Sequence, residues 1–421
     1  MSKKLGWFII TILAFIPVLI WSLIQPPSTR FVNAAVTTTS IGQLAALIGI
    51  TLLGITFLLN TRLKFIENLF GGLDKVYKAH HLLGTTAFLF LLSHPLFLGV
   101  KYALFSLSSL TSFLFFGLNL ATDFGEFALL AMILSLAFTF FITLKYDKWK
   151  IIHQFLGLAL LFASIHVLLL TSDISRNAIL KAYVLIFVAI GMLSFCYRTL
   201  FHTKLIKKYK YNIKEIKHLG KITEIKLQGE SFNYLPGQFV FVKFPSISYE
   251  YHPFTISSIK NENHVTVSIK SSGDYTEKIK GLKIGDMAFI EGPYGRFYPK
   301  GKEQVWIAGG IGITPFLSFA KSLKDEEVDL FYSVKNKDEA VYLKELEEIA
   351  EKKKNFRIIP IYSLEQGRIN AEFLIKKVRG DIKNKEIFMC GPIEMTEALK
   401  KDFIVKEIRK NKIYFEEFNL R

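Results

Sequence analysis

Long apolar stretches dominate the first half of the chain and are absent from the second half. Six of them are long enough to cross the hydrocarbon layer of a bilayer, for which a helix needs about 20 apolar residues. They cover residues 5–24, 41–59, 79–100, 124–144, 151–171 and 178–200. We therefore predict a multi-domain membrane protein whose residues 1–205 form a six-helix transmembrane bundle.

After about residue 210 the pattern changes to short strands, charged helices and glycine turns. Strands bounded by turns are predicted at 220–228, 239–244, 264–269 and 287–291. This pattern is typical of an antiparallel β-barrel, which we assign to residues 211–298. From residue 303 onward strands alternate with helices, and that alternation indicates a parallel α/β sheet. We assign an α/β nucleotide-binding domain to residues 303–421.

The chain carries a formal net charge of +17, and much of the excess lies beside the apolar stretches. Lysine and arginine cluster in the alternate loops that a six-span count places on one face, for example at Lys75, Lys148 and Lys207. Cytoplasmic loops carry such an excess, so we predict a multi-pass protein of the cell membrane with both termini and the whole second half in the cytoplasm. The charge then reflects contact with the lipid bilayer, and no nucleic-acid partner is expected.

Four histidines in the third and fifth apolar stretches form two matched pairs. His80 and His94 lie fourteen residues apart and His153 and His166 thirteen apart, so roughly 20 Å separates the two imidazoles of each helix. If the helices are neighbours, His80 can meet His153 at one level and His94 can meet His166 at the other. Two facing imidazoles suit the axial positions of a haem iron. The alternative is that these histidines only pack between helices.

The ligand at the first level could be either of two adjacent histidines. Fourteen helical steps bring His94 within roughly 40° of the face of His80, whereas thirteen steps from His81 end on nearly the opposite face. We therefore favour His80. Since His153 and His166 are themselves thirteen apart, the fifth helix needs a kink or an irregular turn between them.

Two glycine clusters in the last domain predict a nucleotide site. Residues 308–315, Ala-Gly-Gly-Ile-Gly-Ile-Thr-Pro, follow a predicted strand and open a helix, where a pyrophosphate can approach free backbone amides. The cluster Cys390-Gly391-Pro392 ends a later strand at the carboxyl edge of the sheet, where α/β sheets bind ligands. Each turn alone could simply link a strand to a helix.

The barrel carries a second set of candidate residues. The segment from His252 to Ser258 offers an aromatic face and several hydroxyls, which can hold a flat heterocycle. Lys270 and the turn from Gly273 to Thr276 add a cation and a tight bend suited to phosphate. Each could instead be an ordinary strand and polar turn, so the prediction depends on their joint order.

That order of motifs resembles the ferredoxin-reductase type of flavin dehydrogenase. The chain reads Pro-Gly-Gln-Phe, His-Pro-Phe-Thr, Gly-Asp-Tyr-Thr, Glu-Gly-Pro-Tyr-Gly, Gly-Gly-Ile-Gly-Ile-Thr-Pro and Cys-Gly-Pro, beginning at residues 236, 252, 273, 291, 309 and 390. Joined to six helices with histidine pairs on the third and fifth, it resembles the NADPH oxidase and ferric reductase superfamily, in particular the bacterial NADPH oxidases.

The resemblance implies a cofactor for each domain. His80 and His153 would bind the inner of two b-type haems, and His94 and His166 the outer one. The implied FAD ligands are His252, Pro253, Phe254, Thr255, Ser258, Lys270, Gly273 and Thr276. The implied NADPH ligands are Gly309, Gly310, Gly312, Thr314, Pro315, Cys390, Gly391 and Pro392. The implied catalytic positions are Thr255 near the flavin ring, Cys390 near the nicotinamide and Phe418 over the flavin, with Phe415 as the rival to Phe418.

A preference for NADPH over NADH depends on residues that follow the second and third strands of the sheet. Ser333, Lys335 and Arg368 could meet a 2′-phosphate, which favours cations and hydroxyls. They could equally form a solvated loop, so NADH remains possible.

The implied activity is that of an NADPH oxidase. NADPH delivers two electrons as a hydride, whereas haem iron accepts one at a time, so a flavin has to stand between them. Single electrons would then cross the membrane to oxygen and give superoxide. The alternatives are a ferric-chelate reductase, an electron-transfer subunit for a quinone or a protein partner, and a flavin reductase whose helices are only an anchor. No obligatory protein partner is expected.

One departure from the family bears on the acceptor. Eukaryotic oxidases of the superfamily tend to carry a further histidine four residues beyond the outer ligand, and an arginine in the second helix. Here the first position is Leu98, and residues 41–59 contain no arginine. This weakens the assignment of oxygen without supporting iron.

Overall fold

The computed structural model describes residues 5–117, 119–144, 146–260 and 264–416. Two compact units make up the chain. The N-terminal unit contains residues 1–71 and 75–205, and the C-terminal unit contains residues 206–421 together with 72–74.

Within the described residues, six helices of the N-terminal unit are long and apolar enough to span a membrane. We number these helices α1 to α6: Leu5–Ile24, Ala34–Leu59, Leu73–Phe105, Leu120–Phe141, Lys148–Leu169 and Ala178–Leu200. Buried side chains between them form a core that includes Trp21, Leu47, Leu160 and Leu180. The prediction of a six-helix bundle is confirmed.

Two of these helices extend beyond the apolar stretches that predicted them. Helix α2 begins at Ala34, seven residues before the predicted start, because the side chain of Asn33 accepts a hydrogen bond from the Val36 N–H and caps the first turn. Helix α3 continues to Phe105, and the hydroxyl of Ser106 then caps a short helix at Leu107–Leu114. Helical hydrogen bonding continues through polar residues, so hydropathy alone gives these ends wrongly.

Helix α5 is interrupted between its two histidines, as predicted from their spacing. One segment ends at Gln154 and the next begins at Leu156, with Phe155 between them in a turn. The Phe155 N–H donates to the Ile152 carbonyl at 3.0 Å, one residue closer than in an α-helix. The turn changes the rotation between His153 and His166.

The C-terminal unit begins with a six-stranded antiparallel sheet. Its strands are β1 Tyr209–Leu219, β2 Ile222–Gly229, β3 Phe239–Lys243, β4 His252–Thr255, β5 Val265–Lys270 and β6 Met287–Tyr294. They pair in the order β4-β3-β6-β1-β2-β5, and a bridge between Ile256 and Val267 brings the two edges together. The sheet therefore curls into a barrel around buried residues such as Val240, Val267 and Ile290.

Strand β1 is the longest strand that the sequence pattern did not predict. Lysine and asparagine residues alternate with Tyr211 and Ile213, and both residue types are depleted in strands. Only the inward positions are apolar, and a register shift between Ile213 and Glu215 interrupts even that alternation. Strand β4 was also missed, because its four residues include Pro253, which a sheet tolerates at an edge.

The rest of the unit is a five-stranded parallel sheet with helices on both faces, which confirms the predicted α/β domain. The strands are β7 Glu303–Gly309, β8 Glu327–Val334, β9 Phe356–Tyr362, β10 Glu386–Cys390 and β11 Ile413–Glu416, in the order β11-β10-β7-β8-β9. The helices are α7 Thr314–Ser322, α8 Leu343–Lys352, α9 Ala371–Lys377 and α10 Ile393–Val405. One core contains Trp306 and Phe316, and the other contains Ile307 and Leu399.

A buried carboxylate connects the amino-terminal ends of these strands. Asp329 is 1% exposed and accepts two hydrogen bonds from Arg357, both at 2.9 Å. Arg379 donates to the same carboxylate from its backbone N–H and its Nε, both at 2.7 Å. Asp329 therefore joins β8, β9 and the segment after α9.

We expect Asp329→Asn to destabilise the C-terminal unit by about 3 kcal/mol, because it removes the charge that two arginines share in a buried position. For a domain of this size that corresponds to a fall of roughly 5–10 °C in unfolding temperature. Thermal unfolding of the full-length protein, followed by the fluorescence of the buried Trp306 in this unit, measures it. Glu303→Gln is the control, since its contact with Lys385 is long, at 3.8 Å, and half exposed. Equal shifts in both variants would contradict the prediction.

Candidate functional site

At the inner level of the bundle, the structure brings His80 of α3 next to His153 of α5. Their ring centres are 6.2 Å apart. Two imidazoles that bind one metal ion from opposite sides, each through a nitrogen about 2 Å from the ion, have ring centres about 6 Å apart. His81 instead is exposed and contacts the Phe140 ring. The geometry therefore favours His80 over His81.

Three of the four histidines hydrogen bond through Nδ1 to a backbone carbonyl of another helix. His80 donates to Thr56 at 2.9 Å, His94 to Gly42 at 2.9 Å and His166 to Ala121 at 2.6 Å. A carbonyl can only accept, so Nδ1 carries the proton in each ring. The lone pair of the neutral imidazole is then on Nε2, which is the form that binds a metal.

His153 is held differently. Its Nδ1 is buried and, within the described residues, has no hydrogen-bond partner. The indole ring of Trp149, one turn earlier, stacks on the imidazole with ring centres 5.2 Å apart and planes 13° apart. Ring stacking therefore orients this side chain in place of a carbonyl.

The outer level contains His94 of α3 and His166 of α5. A cavity of about 390 Å³ opens beside it, lined by the start of α4 and the end of α5: Asn119, Leu120, Ala121, Thr122, Leu169, Leu170, Thr171 and Ser172. Ala121 belongs both to this cavity and to the hydrogen bond of His166. The outer level therefore adjoins a recess large enough for a small molecule.

The four histidines are suited to haem rather than to a bare metal ion. Each level offers two neutral imidazoles, and the described residues contain no group of three or more His, Cys, Asp and Glu side chains that could hold a metal ion. Two axial imidazoles complete the coordination of an iron whose other four ligands come from a porphyrin. The inner level also retains an unpaired buried nitrogen on His153.

Five of the candidate FAD residues lie on β4 and on the neighbouring end of β5. Thr255, the last residue of β4, is buried, and its hydroxyl has no hydrogen-bond partner in the described part of the chain. His252 stacks on Tyr275, with ring centres 3.5 Å apart, so one face of this aromatic pair is already covered. Phe254 packs partly against the barrel core, Pro253 pairs with Phe241, and Lys270 ends β5 half-buried. The free hydroxyl of Thr255 is suited to a polar edge of a flavin.

Two of the hydroxyls predicted to bind FAD are engaged within the protein. Ser258 is fully buried, accepts from the Thr266 N–H at 2.9 Å and hydrogen bonds to Tyr234. Thr276 accepts from the backbone N–H groups of Ser272 and Gly273, at 2.9 and 3.0 Å. These hydroxyls hold the barrel and its turn together, and a phosphate at the turn would have to replace Thr276.

The two glycine clusters lie side by side, because β7 and β10 are neighbours in the sheet. A Cβ on Gly312 would lie 2.2 Å from the carbonyl oxygen of Cys390, and one on Gly391 would lie 2.9 Å from the Cα of Gly309. Three of the glycines predicted to bind NADPH, Gly309, Gly312 and Gly391, are thus required for packing between the two turns. Gly310 differs, since its φ is +55° and no atom lies within 4 Å of an added Cβ.

The other residues predicted to bind NADPH at the carboxyl edge of the parallel sheet differ in how exposed they are. Thr314 and Pro315 are buried in the first turn of α7, and Pro392 is exposed. Cys390 is fully buried, with Sγ 3.9 Å from the Glu416 carbonyl oxygen. Burial raises the pKa of the Cys390 thiol, with Glu416 adding to the shift, so the thiol stays neutral.

The residues predicted to select NADPH lie at the carboxyl ends of two neighbouring strands, and Ser333, which was predicted to follow its strand, is part of β8. Ser333 is half-buried near the end of β8, and Lys335 is exposed just after that strand. Arg368 is exposed in the loop that follows β9. The structure therefore brings these three residues to one edge of the parallel sheet.

The aromatic residue predicted to lie over the flavin, Phe418, is outside the described residues. Its rival Phe415 is in β11 beside Met389.

Three family models match successive parts of the chain. They are a ferric reductase like transmembrane component over residues 45–164, an FAD-binding domain over 206–297 and an oxidoreductase NAD-binding domain over 306–401. The three matches follow the order of the bundle, the barrel and the α/β sheet.

Individual relatives match only parts of the chain. NADPH oxidase 3 of Rattus norvegicus is 34% identical over 128 residues, which are 26% of this chain and 22% of that protein. A superoxide-generating NADPH oxidase heavy chain of Dictyostelium discoideum is 33% identical over 140 residues, 27% of this chain and 20% of that protein. The chain thus spans about a fifth of the length of these two relatives.

One solved structure resembles the chain over most of its length. The flavohemoglobin from Malassezia yamatoensis with bound FAD and heme superposes with a TM-score of 0.50 over 91% of this chain and 98% of that chain. The identity is 16%, so this likeness concerns the fold alone.

Proposed function

We propose that this chain, which belongs to the NADPH oxidase and ferric reductase superfamily, passes electrons from NADPH through FAD and two b-type haems to an acceptor across the membrane. The observation that carries the proposal is the pair of histidine levels in the bundle, with Nδ1 of three rings engaged by carbonyls. The C-terminal unit would lie in the cytoplasm, in accordance with the lysine-rich loops.

The chemistry of the bound groups explains why all three are needed. When bound, FAD would take a hydride from NADPH and release electrons singly, and the haems would carry them across the membrane. The protein's part is to bind and orient. His80 with His153 would bind an inner iron, and His94 with His166 an outer one. The three rings whose Nδ1 donates to a carbonyl would bind through Nε2.

In the C-terminal unit, the open turn at Gly310 would receive the pyrophosphate of NADPH at the start of α7. The neutral Cys390 thiol would border the nicotinamide without exchanging a proton, because burial keeps it protonated. The Thr255 hydroxyl would hydrogen bond to the flavin.

Oxygen is the acceptor that we propose, with superoxide as the product. The two relatives compared above are named as NADPH oxidases, one of them as superoxide-generating. The cavity beside Ala121 would give a small molecule access to the outer level. Chelated ferric iron is the second candidate, because the transmembrane family model is named for ferric reductases. This chain lacks two groups that eukaryotic oxidases offer to oxygen. Position 98 is leucine where they tend to have histidine, and α2 contains no arginine.

The deciding experiment is anaerobic reduction of the detergent-purified protein by NADPH in the presence of FAD, followed by air and a superoxide trap. We expect about two low-spin haems per chain that reduce and then reoxidise with superoxide formation. Slow reoxidation in air with fast reoxidation by a ferric chelate would replace oxygen by iron. A protein without haem would refute the proposed path.

We also expect Arg368→Ala to raise the KM for NADPH by about tenfold, because a charge-assisted contact to the 2′-phosphate is lost. The KM for NADH, measured on the same preparation, is the internal control and should not change. Equal rises for both nucleotides, or for neither, would show that Arg368 does not read the 2′-phosphate.

A further inference from the structure

We propose that Gly125 and Gly42 are positioning residues of the outer histidine pair. Each would allow an imidazole to approach a neighbouring helix closely enough for Nδ1 to donate to a backbone carbonyl. The inference rests on the proposed function, because it concerns how His166 and His94 present Nε2 to an outer haem.

Gly125 lies directly against the ring of His166. A Cβ at this position would be 2.9 Å from Nδ1, 3.0 Å from Cε1 and 3.4 Å from Cγ of His166. All three atoms belong to the imidazole itself, so a methyl group could be accommodated only if the ring or helix α4 moved. The same nitrogen donates to the Ala121 carbonyl at 2.6 Å.

Ala121 and Gly125 are one helical turn apart on α4. The side chain at position i+4 of a helix lies beside the carbonyl of residue i, because their backbone groups are hydrogen bonded to each other. A side chain at position 125 would thus cover the carbonyl that His166 uses. The short distance to Ala121 depends on glycine at this position.

His94 has a similar arrangement on α2, with less crowding. Its Nδ1 donates to the carbonyl of Gly42 itself. A Cβ on Gly42 would lie 3.1 Å from the His94 carbonyl oxygen, 3.4 Å from Cβ of Phe97 and 3.7 Å from Nδ1 of His94. A methyl group here would press on the backbone of α3 more than on the ring, so its effect on the imidazole should be smaller.

The inner level does not use glycine in this way. His80 donates to the carbonyl of Thr56, which has a side chain, and His153 is oriented by the ring of Trp149. A substitution at Gly125 or Gly42 should therefore change the outer haem and leave the inner one unchanged. This selectivity distinguishes positioning from a general role in helix packing.

The test compares full-length wild type with Gly125→Ala, Gly42→Ala and a control, Gly99→Ala. A Cβ on Gly99 of α3 would meet only Leu110 and Phe113 at ordinary distances of 3.7 and 3.8 Å. Haem per chain is measured by extraction, and each haem is followed by its redox transition and low-spin electron paramagnetic resonance signal. NADPH reduction of flavin reports folding of the C-terminal unit.

We expect Gly125→Ala to hold the outer haem about 10- to 100-fold less tightly, the size of effect seen when a partner of a metal-binding histidine is lost. The outer resonance signal and redox transition should shift or disappear, while the inner ones stay as in wild type. Gly42→Ala should show the same change to a smaller extent, and Gly99→Ala none.

Two results would overturn the inference. One is a Gly125→Ala protein with two haems and an unchanged outer signal. The other is equal loss of both haems, which would indicate a general role of Gly125 in helix packing. If Gly125→Ala does not fold, the same criteria apply to Gly42→Ala. Absence of haem from wild type would instead refute the proposed function.

Discussion

Replacing His94 with leucine is expected to remove the outer haem and stop electron transfer across the membrane, while NADPH still reduces the flavin. Leucine has similar bulk but no nitrogen to bind iron. Even a hydrogen-bond partner of a ligating histidine is worth about 10–100-fold in affinity, so loss of the ligand itself should cost more than about 100-fold. Haem content should fall from two per chain to one. Superoxide formation should fall with it, and flavin reduction at the C-terminal unit should not.

His81, which is adjacent to His80 on the same helix as His94, supplies a control for this experiment. The His81 side chain is exposed on the surface of the bundle, and its ring contacts Phe140, not a histidine of α5. His81→Leu should therefore keep both haems and full transfer. If folded His94→Leu lost flavin reduction as well, or if His81→Leu lost a haem, the pairing of His80 with His153 and His94 with His166 would be wrong.

The sequence predicted the bundle well, because spanning helices in a bilayer must be apolar over most of their length. It predicted the ends of α2 and α3 poorly. The segment that starts at Ala34 contains three consecutive threonines, which lower its hydropathy but do not interrupt helical hydrogen bonds. The strand β1 was hidden for a related reason, since its lysines are on the outer face of a strand that is apolar only on the other face.

In the candidate site, too, the side chains could be predicted from the sequence, whereas the backbone groups that orient them could not. Pairs of histidines inside apolar stretches are conspicuous, and so is the odd spacing that requires the turn at Phe155. The carbonyls of Thr56, Gly42 and Ala121, which select the tautomer of three rings, have no signature in the sequence. The glycines at positions 42 and 125 are the local signs that an imidazole lies close to the neighbouring helix.

The glycine turn of the α/β domain illustrates the limit of motif reading. Gly309, Gly310 and Gly312 were predicted to meet the pyrophosphate of NADPH, and Gly391 was predicted to lie near its nicotinamide. In the structure, Gly309, Gly312 and Gly391 allow two turns to pack at backbone distance. A motif records that a side chain is excluded, but not whether protein or ligand excludes it. The free position, Gly310, is distinguished only by three-dimensional context.

That distinction leads to the second large effect. Gly310→Asn should raise the KM for NADPH by roughly 10- to 100-fold, as expected if one or two charge-assisted hydrogen bonds of about 1.5–3 kcal/mol are blocked. Asparagine tolerates the left-handed conformation that φ of +55° requires, so the protein should fold and bind FAD normally. Steady-state kinetics with NADPH, together with flavin content and unfolding temperature, measures both parts of this prediction.

Two further variants separate ligand contact from packing. Gly220→Asn introduces the same side chain at a β1–β2 turn where φ is +59° and nothing lies within 4 Å of an added Cβ, so it should leave the KM for NADPH unchanged. Gly312→Ala should instead lower the unfolding temperature, because its Cβ would overlap the Cys390 carbonyl oxygen and overpacking costs about 1–3 kcal/mol or more. A Gly310→Asn protein with normal KM would show that the pyrophosphate does not approach this turn. An unstable Gly310→Asn protein would show that Gly310, like its neighbours, serves the fold.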